Sequence, residues 1–166
     1  MHAMLKKITP LNAALSVLLV ATATIAGAWI FEAFGYLPCE LCLKQRWAYY
    51  GGIPLAALTL ALAWRGPVSL ARLGLALLAL VFLGSTLFGV YHAGVEWAFW
   101  PGPTDCTGSI GGAAKDMSDF MSQLQTTRVV RCDAVAIRIF GLSLAGWNAV
   151  ISAFMTAVAL LGLRSR

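Results

Sequence analysis

Residues 38–46 read PCELCLKQR and form a short polar break between two long apolar runs, 11–31 and 47–64. The chain has 166 residues, of which 60% are hydrophobic and only 11% are charged. A soluble domain carries about 25% charged residues, and a chain of this size cannot hide so many apolar side chains in a core. Lipid must therefore be the solvent for much of the surface, and we expect a single membrane domain.

Four apolar runs are long enough to cross a hydrocarbon core of about 30 Å as helices. The predicted spans are about 11–31, 47–64, 72–91 and 141–163, separated by outer loops at 32–46 and 92–140. The first run exceeds the apolar region of a signal peptide, which is about 7–15 residues long, so we interpret it as a retained span. The sequence thus predicts an all-α membrane protein, a four-transmembrane-helix bundle.

The second loop contains apolar residues at the spacing of an amphipathic helix, namely Met117, Phe120, Met121 and Leu124. We expect residues 115–124 to form a short amphipathic surface helix, because the segment is too short to cross the membrane. A helix packed on its own loop is the alternative.

The fourth span carries small residues at a spacing of four positions, at Ala149, Ala153 and Ala157. Such stripes predict close contact with a neighbouring helix. Asn148, near one end of the span, is interpreted as a hydrogen-bonding residue between helices rather than a catalytic one.

The distribution of charge predicts the orientation. The N-terminal lead, the turn after the second span and the C-terminal tail contain basic but no acidic residues, namely Lys6, Lys7, Arg65, Arg72, Arg164 and Arg166. All seven acidic residues lie in the two outer loops. Short basic segments stay in the cytoplasm, so we expect cytoplasmic termini in a multi-pass membrane protein. Both cysteine-bearing loops then lie on the outer face, which is oxidising in bacteria and in secretory compartments.

Cys39 and Cys42 form a Cys-x-x-Cys pair at the predicted start of the second helix. A helix N-terminus offers unpaired N–H groups and a positive dipole end, which stabilise the nucleophilic thiolate. If the helix begins near Cys39, Arg46 lies one turn after Cys42 and should lower the pKa of that thiol further. Arg46 as an interfacial anchor is the alternative, and the negative charge of Glu40 opposes thiolate formation.

Cys106 and Cys132, alone, are typical of one structural disulfide in a long loop. Next to a redox-type pair on the same face, they can also exchange disulfides with it by thiolate attack. A structural disulfide between Cys39 and Cys42 would close a tiny loop and remove little chain entropy. A four-cysteine zinc site needs a second Cys-x-x-Cys, which is missing, so we expect no metal.

Electrons taken from thiols must leave the protein. The sequence contains no Rossmann Gly-x-Gly-x-x-Gly, no P-loop and no Cys-x-x-Cys-His haem motif. An acceptor dissolved in the bilayer is the simplest solution, and quinone is the obvious one. Trp47 is a candidate wall of a quinone cleft, with membership of an interfacial aromatic belt as the alternative.

The chain resembles the bacterial disulfide bond formation protein B (DsbB) family across nearly its whole length. The resemblance rests on the four spans, the Pro-Cys-x-Leu-Cys-x-x-Gln-Arg pattern at 38–46, the later cysteines, and the motifs Tyr91-His92, Pro101-Gly102-Pro103 and Gly141-Leu142-Ser143. Two departures are mild: the family often has Glu where Gln45 stands, and Glu40 places an acidic residue between the two cysteines.

This resemblance implies a quinone-dependent protein-dithiol oxidase, with electron transport to quinone and a chaperone-like role in disulfide bond formation. A reduced, DsbA-like thioredoxin-fold oxidase would attack Cys106 of a Cys106–Cys132 disulfide. Cys132 would then attack Cys39, or resolve the mixed disulfide directly. Cys42, as the thiolate, would donate electrons to the quinone.

The resemblance also implies a quinone site. Arg46 would steady a ring oxygen, and His92 would contact the ring, with an interfacial hydrogen-bonding role as the alternative for His92. A DsbA-type oxidase has a reduction potential of about −120 mV, which favours the more oxidising ubiquinone over menaquinone.

The expected partners are the periplasmic oxidase, quinone and the bilayer, with no nucleic acid. Two alternatives stay open. One is a structural four-helix membrane protein with two static disulfides, and the other is a DsbB-like paralogue dedicated to one secreted partner.

Overall fold

The computed structural model describes residues 8–103, 116–118, 121 and 131–165. Within them the chain forms helices α1 (Pro10–Ala33), α2 (Glu40–Arg65) and α3 (Val68–Glu96), followed by a short hairpin and helix α4 (Leu144–Arg164). The hairpin pairs β1 (Arg138–Ile139) with β2 (Leu142–Ser143) in antiparallel register, Arg138 opposite Ser143. The described chain is therefore mostly helical, in agreement with the predicted all-α class.

Three helices begin at side chains that cap them. The hydroxyl of Thr9 accepts a hydrogen bond from the N–H of Asn12 at 3.2 Å, and Pro10 follows at the first helical position. The Ser143 hydroxyl accepts from the N–H of Gly146 at 3.1 Å at the start of α4. At the start of α2 the cap is the sulfur of Cys39, so a reactive residue fixes where this helix begins.

The helices α1, α3 and α4 are long and apolar enough to cross a membrane. Helix α2 has 26 residues, so its length of roughly 39 Å also suffices at 1.5 Å per residue. It begins at Glu40, before the predicted span at 47–64, and its first turns carry Lys44 and Arg46. These polar turns distinguish α2 from the other three helices, each of which contains an apolar stretch long enough to cross a membrane.

Two other helix bounds differ from the predicted spans. Helix α3 continues to Glu96, which places His92 inside the helix rather than at the start of a loop. Helix α4 begins at Leu144 rather than Gly141, because Phe140 and Gly141 form the hairpin turn with φ of 51° and 84°. The positive φ at Gly141 is a conformation that glycine adopts without strain. The predicted surface helix at 115–124 lies mostly outside the described residues, and the described Met117 and Met121 are exposed.

The bundle is held together by close approach of small residues. A Cβ added at Gly89 of α3 would lie 3.0 Å from backbone atoms of Ala149 in α4. A Cβ at Gly162 of α4 would lie 2.5 Å from the Cβ of Ala13 in α1. Small residues allow such approach in membranes, where dispersion contacts replace the hydrophobic effect between helices.

The predicted alanine stripe on the fourth span contributes only in part. Ala149 is buried at the contact with α3, whereas Ala153 and Ala157 are exposed. The buried face of α4 instead carries Ser152, Met155 and Ala159.

The two ends of the bundle differ in chemistry. At one end, the Arg72 guanidinium donates to the carbonyl oxygen of Ser165 at 3.1 Å, joining the start of α3 to the end of α4. At the other end lie the start of α2, the end of α3 and the hairpin. The hairpin is fixed to α4 because the indole N–H of Trp147 donates to the carbonyl oxygen of Ile139 at 2.9 Å.

We predict that Gly89→Val lowers the free energy of unfolding by about 2 kcal/mol, because the added side chain must separate α3 from α4. Gly84→Val on the same helix is the matched control, since no atom lies within 4 Å of a Cβ there. Denaturation of the detergent-solubilised variants measures both effects. Equal stability of the two variants would contradict the proposed helix contact.

Candidate functional site

Cys39 and Cys42 are free thiols that contact each other. The two Sγ atoms lie 3.1 Å apart, within hydrogen-bond distance, and the Sγ atom of Cys39 also accepts a hydrogen bond from the Cys42 backbone N–H at 3.4 Å. Cys39 is buried, with 6% of its surface exposed, and Cys42 is partly buried. The pair is therefore a reduced dithiol. Because the backbone N–H points at Cys39, that sulfur is the better site for a thiolate, which the Cys42 thiol can then stabilise as a donor.

His92 of α3 completes the surroundings of Cys39. Its ring is 1% exposed, with Nε2 at 3.5 Å from the Cys39 Sγ and Nδ1 at 3.0 Å from the Nε2 atom of Gln45. The amide nitrogen of Gln45 is a donor only, so Nδ1 must accept. The single proton of the neutral imidazole then resides on Nε2 and points at the sulfur, which gives the Cys39 thiolate a further donor.

These contacts shift the pKa values of the two thiols in opposite directions. The hydrogen bond from the Cys42 thiol is the largest influence on Cys39, and with His92 it outweighs burial and lowers the pKa of Cys39 to about 4. The pKa of Cys42 is raised, first by its hydrogen bond to Cys39 and then by burial and the Cys39 charge. We expected Arg46 to lower the pKa of Cys42, but the contact with Cys39 and burial raise it instead.

Arg46 has a partner that the sequence analysis did not identify. Its guanidinium Nη1 donates to the Oε2 atom of Glu32, near the end of α1, at 2.6 Å. The Arg46 side chain is only 12% exposed, so solvent screens this ion pair little on the arginine side. The pair joins α1 to α2 and leaves the other guanidinium N–H groups available.

A cavity of about 490 Å³ opens beside the dithiol. This volume lies in the range of small-molecule sites, about 300–1,000 Å³. Its polar lining includes Cys39, Cys42, Gln45, Arg46, His92 and Glu96. Apolar side chains of α1, α4 and the hairpin form much of the rest, among them Ile25, Phe31, Trp147 and Ile151. An apolar cavity with a few convergent polar groups is suited to a flat, mostly apolar ligand with polar ring substituents.

Polar side chains from three helices meet at the inner end of this cavity. The Tyr49 hydroxyl donates to the Oδ1 atom of Asn148 at 2.5 Å, across the α2–α4 contact. The Ser152 hydroxyl lies 3.0 Å from that of Ser85 in α3. Asn148 therefore does bridge helices, and it also lines the cavity.

The second cysteine pair is described in part. Cys132 is disulfide-bonded and 2% exposed, and it packs in one cluster with Cys39, Leu41 and Val95. Cys106 lies outside the described residues. Arg131, the neighbour of Cys132, donates to both carboxylate oxygens of Asp133, at 2.9 and 2.5 Å.

The structure does not bring Trp47 to the cavity. Its side chain is 75% exposed and lies beside Glu40, Leu43 and Lys44 on another face of α2. Of the residues expected at a ligand site, Arg46 and His92 thus line the cavity and Trp47 does not.

Cys39, Cys42 and His92 bring their donor atoms within 4.8 Å of one another, a distance at which a metal ion could be shared. Two thiolates of a tetrahedral zinc ion lie about 3.8 Å apart, given Zn–S bonds of about 2.3 Å. The sulfur atoms here are 3.1 Å apart and joined by a hydrogen bond. The observed geometry therefore corresponds better to a redox dithiol than to two zinc ligands.

Two acidic residues at the cavity region were not singled out by the sequence analysis. Glu32 directly follows the first apolar run, and Glu96 comes four positions after His92, one helical turn away. An acidic residue immediately after an apolar run is a weak signal by itself. The spacing of Glu96 from His92 would have been usable if α3 had been predicted to continue past Tyr91.

We predict that alkylation of Cys39 in the reduced protein is nearly independent of pH between about pH 6 and pH 8, because a thiol with a pKa of about 4 is already ionised there. In Cys42→Ala, the strongest donor to Cys39 is removed and its pKa rises. Alkylation of the variant should then accelerate by up to about tenfold per pH unit, as for an ordinary cysteine of pKa about 8.5. Mass spectrometry after timed iodoacetamide pulses measures both rates, and a steep wild-type profile would contradict the assignment.

Comparison with known proteins gives one match. The family model described as "Disulfide bond formation protein DsbB" matches residues 11–162. No curated protein and no solved structure was found to match the chain.

Proposed function

The chain belongs to the DsbB family, and we propose from this premise that it is a quinone-dependent protein-dithiol oxidase of the bacterial inner membrane. Membership supports a thiol oxidoreductase role in disulfide bond formation. The finer proposal is that the chain reoxidises a DsbA-like periplasmic oxidase and passes the electrons to membrane quinone. One observation carries it: the Cys39–Cys42 dithiol lines an apolar cavity together with Arg46 and His92.

The proposed topology has four spans, with α2 crossing beside the three more apolar helices. Arg65, Arg72 and Arg164 lie at one end of the bundle, and the dithiol lies at the other. The excess of basic residues near the first end supports a cytoplasmic location for it. The dithiol then faces the periplasm, where a soluble oxidase can reach the second loop.

The first exchange in the proposed sequence occurs at the second loop. A partner thiolate attacks Cys106 of a Cys106–Cys132 disulfide, and the released Cys132 carries the electrons inward. Cys132 is disulfide-bonded, whereas Cys39 and Cys42 are free. This difference supports separate roles for the two pairs, with exchange with the partner at the second pair and electron transfer to quinone at the first. Because Cys132 and Cys39 pack in one buried cluster, a thiolate at Cys132 has a short path to Cys39.

The acidities of the two thiols support Cys42 as the electron donor once Cys39 is engaged. The pKa of Cys42 is raised first by its hydrogen bond to Cys39, then by burial and by the Cys39 charge. The two influences of Cys39 disappear when the Cys39 Sγ becomes bonded to another sulfur, because no thiolate then remains to accept the proton. The pKa of Cys42 therefore falls, and this thiol can ionise at the cavity wall in the step in which it donates electrons.

The cavity residues fit a quinone head group. Apolar walls suit the ring and its isoprenoid tail, while the remaining N–H groups of Arg46 are donors suited to a ring oxygen. The bound quinone supplies a two-electron acceptor in contact with the bilayer. We prefer ubiquinone, with menaquinone as the alternative. A partner with a reduction potential of about −120 mV can pass electrons only to a strongly oxidising acceptor.

The alternative of two static disulfides has less support. Cys39 and Cys42 are free, and the lowered pKa of Cys39 provides a nucleophile at neutral pH. The choice between a general oxidase and one dedicated to a single secreted partner depends on the surface of the second loop, which is largely outside the described residues.

Cys42→Ser should abolish quinone reduction by the detergent-purified protein, because the group that donates to the cavity is lost. Absorbance of the quinone, with a reduced DsbA-like dithiol as donor, measures the rate. Cys106→Ser is the matched control: it should block partner oxidation, yet the chemically reduced Cys39–Cys42 pair should still react with quinone. Normal turnover by Cys42→Ser would refute the proposal.

Arg46→Ala should raise the apparent KM for quinone by about 10-fold to 100-fold, since a hydrogen bond to a charged group contributes about 1.5–3 kcal/mol. Lys44→Ala, two positions away, is the control, because Lys44 is paired with Glu40 at 3.4 Å outside the cavity. Steady-state kinetics over a range of quinone concentrations separates the two. An effect of Arg46→Ala confined to the KM for the protein partner would contradict this role.

A further inference from the structure

Glu96 is a partly buried acid that the proposed electron route does not use. It is the last residue of α3, one turn after His92, and it lines the same cavity as Cys39 and Cys42. Its Oε2 atom is buried and has no hydrogen-bond partner among the described residues. Burying one unpaired oxygen of a carboxylate is costly, whereas the neutral acid needs less solvation. The position therefore suits a carboxyl group that holds a proton.

The groups that face Glu96 come from every element around it. His92 lies on its own helix, Cys39 is at the start of α2, and Arg138 and Ser143 belong to the two strands of the hairpin. The Cys39 thiolate disfavours a second negative charge nearby, while His92, Arg138 and the Ser143 hydroxyl favour it. A carboxyl group between such opposed neighbours can both hold and release a proton.

The reaction consumes more protons than the dithiol supplies, so a further proton donor is needed. Reduction of a quinone to the quinol takes up two electrons and two protons. The dithiol supplies both electrons. With Cys39 as the thiolate, which the Cys42 N–H and His92 stabilise, the pair supplies only the one proton of Cys42. At least one further proton must therefore reach the cavity.

We propose that Glu96 supplies this second proton, an inference that rests on the quinone-reductase function proposed above. In the balanced step, the Cys39 thiolate, the Cys42 thiol, the Glu96 acid and the quinone become the Cys39–Cys42 disulfide, the Glu96 carboxylate and the quinol. An S–S bond forms, one S–H and one O–H bond break, and two electrons pass from sulfur to the ring. The net charge is −1 on both sides.

His92 is less suited to this role. The proton on its Nε2 is directed at Cys39, and its Nδ1 is occupied by Gln45. Giving up that proton would remove a donor from the sulfur and leave a ring with no N–H. His92 is thus a positioning residue for Cys39. Glu96 is only partly buried, so it can regain its proton from solvent.

The test is Glu96→Gln, which keeps the shape of the side chain but cannot release a proton. Single-turnover quinone reduction by the reduced full-length protein is followed from about pH 6 to pH 8, and the ratio of wild-type to variant rate is plotted. Asp116→Asn, an exposed carboxylate outside the cavity, is the control.

We expect a ratio that grows by about tenfold per pH unit, reaching about 100-fold at pH 8, because the variant must take the proton from water. Glu96→Asp, which retains an acid, should flatten the profile again. In infrared difference spectra, the band of a protonated carboxylic acid should disappear on quinone reduction in the wild type and be missing in Glu96→Gln.

A constant ratio at all pH values, or an unchanged carboxylic acid band in the wild type, would overturn the assignment and leave Glu96 a structural residue. Failure of the wild type to reduce any quinone would instead refute the proposed function. Since the infrared experiment uses the wild type, it decides the question even if Glu96→Gln does not fold.

Discussion

The sulfur of Cys39 occupies the N-cap position of α2, and the arrangement of the site depends on this contact. The sulfur accepts a hydrogen bond from the Cys42 backbone N–H, as a serine or aspartate oxygen does at other helix starts. The same atom accepts from the Cys42 thiol and lies beside His92. Because the helix begins at this residue, its first turns present Cys42, Gln45 and Arg46 along one side.

Much of the fold could be predicted from the sequence because lipid imposes simple rules. Long apolar runs must become helices that satisfy their own backbone groups, and the predicted runs all lie within helices except at the hairpin. The Cys-x-x-Cys pair marked the start of α2 because thiolate chemistry and a helix N-terminus favour each other. The family resemblance drawn from these motifs is confirmed by the match over residues 11–162.

The parts that could not be predicted depend on contacts between helices. Nothing local to Arg46 indicates that Glu32, at the end of another helix, is its partner. The difference in pKa between the two thiols depends on which sulfur accepts the hydrogen bond between them. His92 from α3 contacts Cys39 and so favours Cys39 as the acceptor. The exposure of Trp47 likewise depends on how α2 is rotated in the bundle, and an interfacial tryptophan and a cleft tryptophan look alike in sequence.

The capped sulfur has a consequence for the driving force of the reaction. The donors that point at the Cys39 sulfur favour its thiolate and so stabilise the reduced pair, which raises the reduction potential of the Cys39–Cys42 couple. A couple with a higher reduction potential oxidises its donor more readily. The difference in reduction potential between this couple and the final acceptor is then smaller. The cap at the start of α2 therefore affects how the total difference in reduction potential is divided between two steps, the transfer from the partner to the dithiol and the transfer from the dithiol to the quinone.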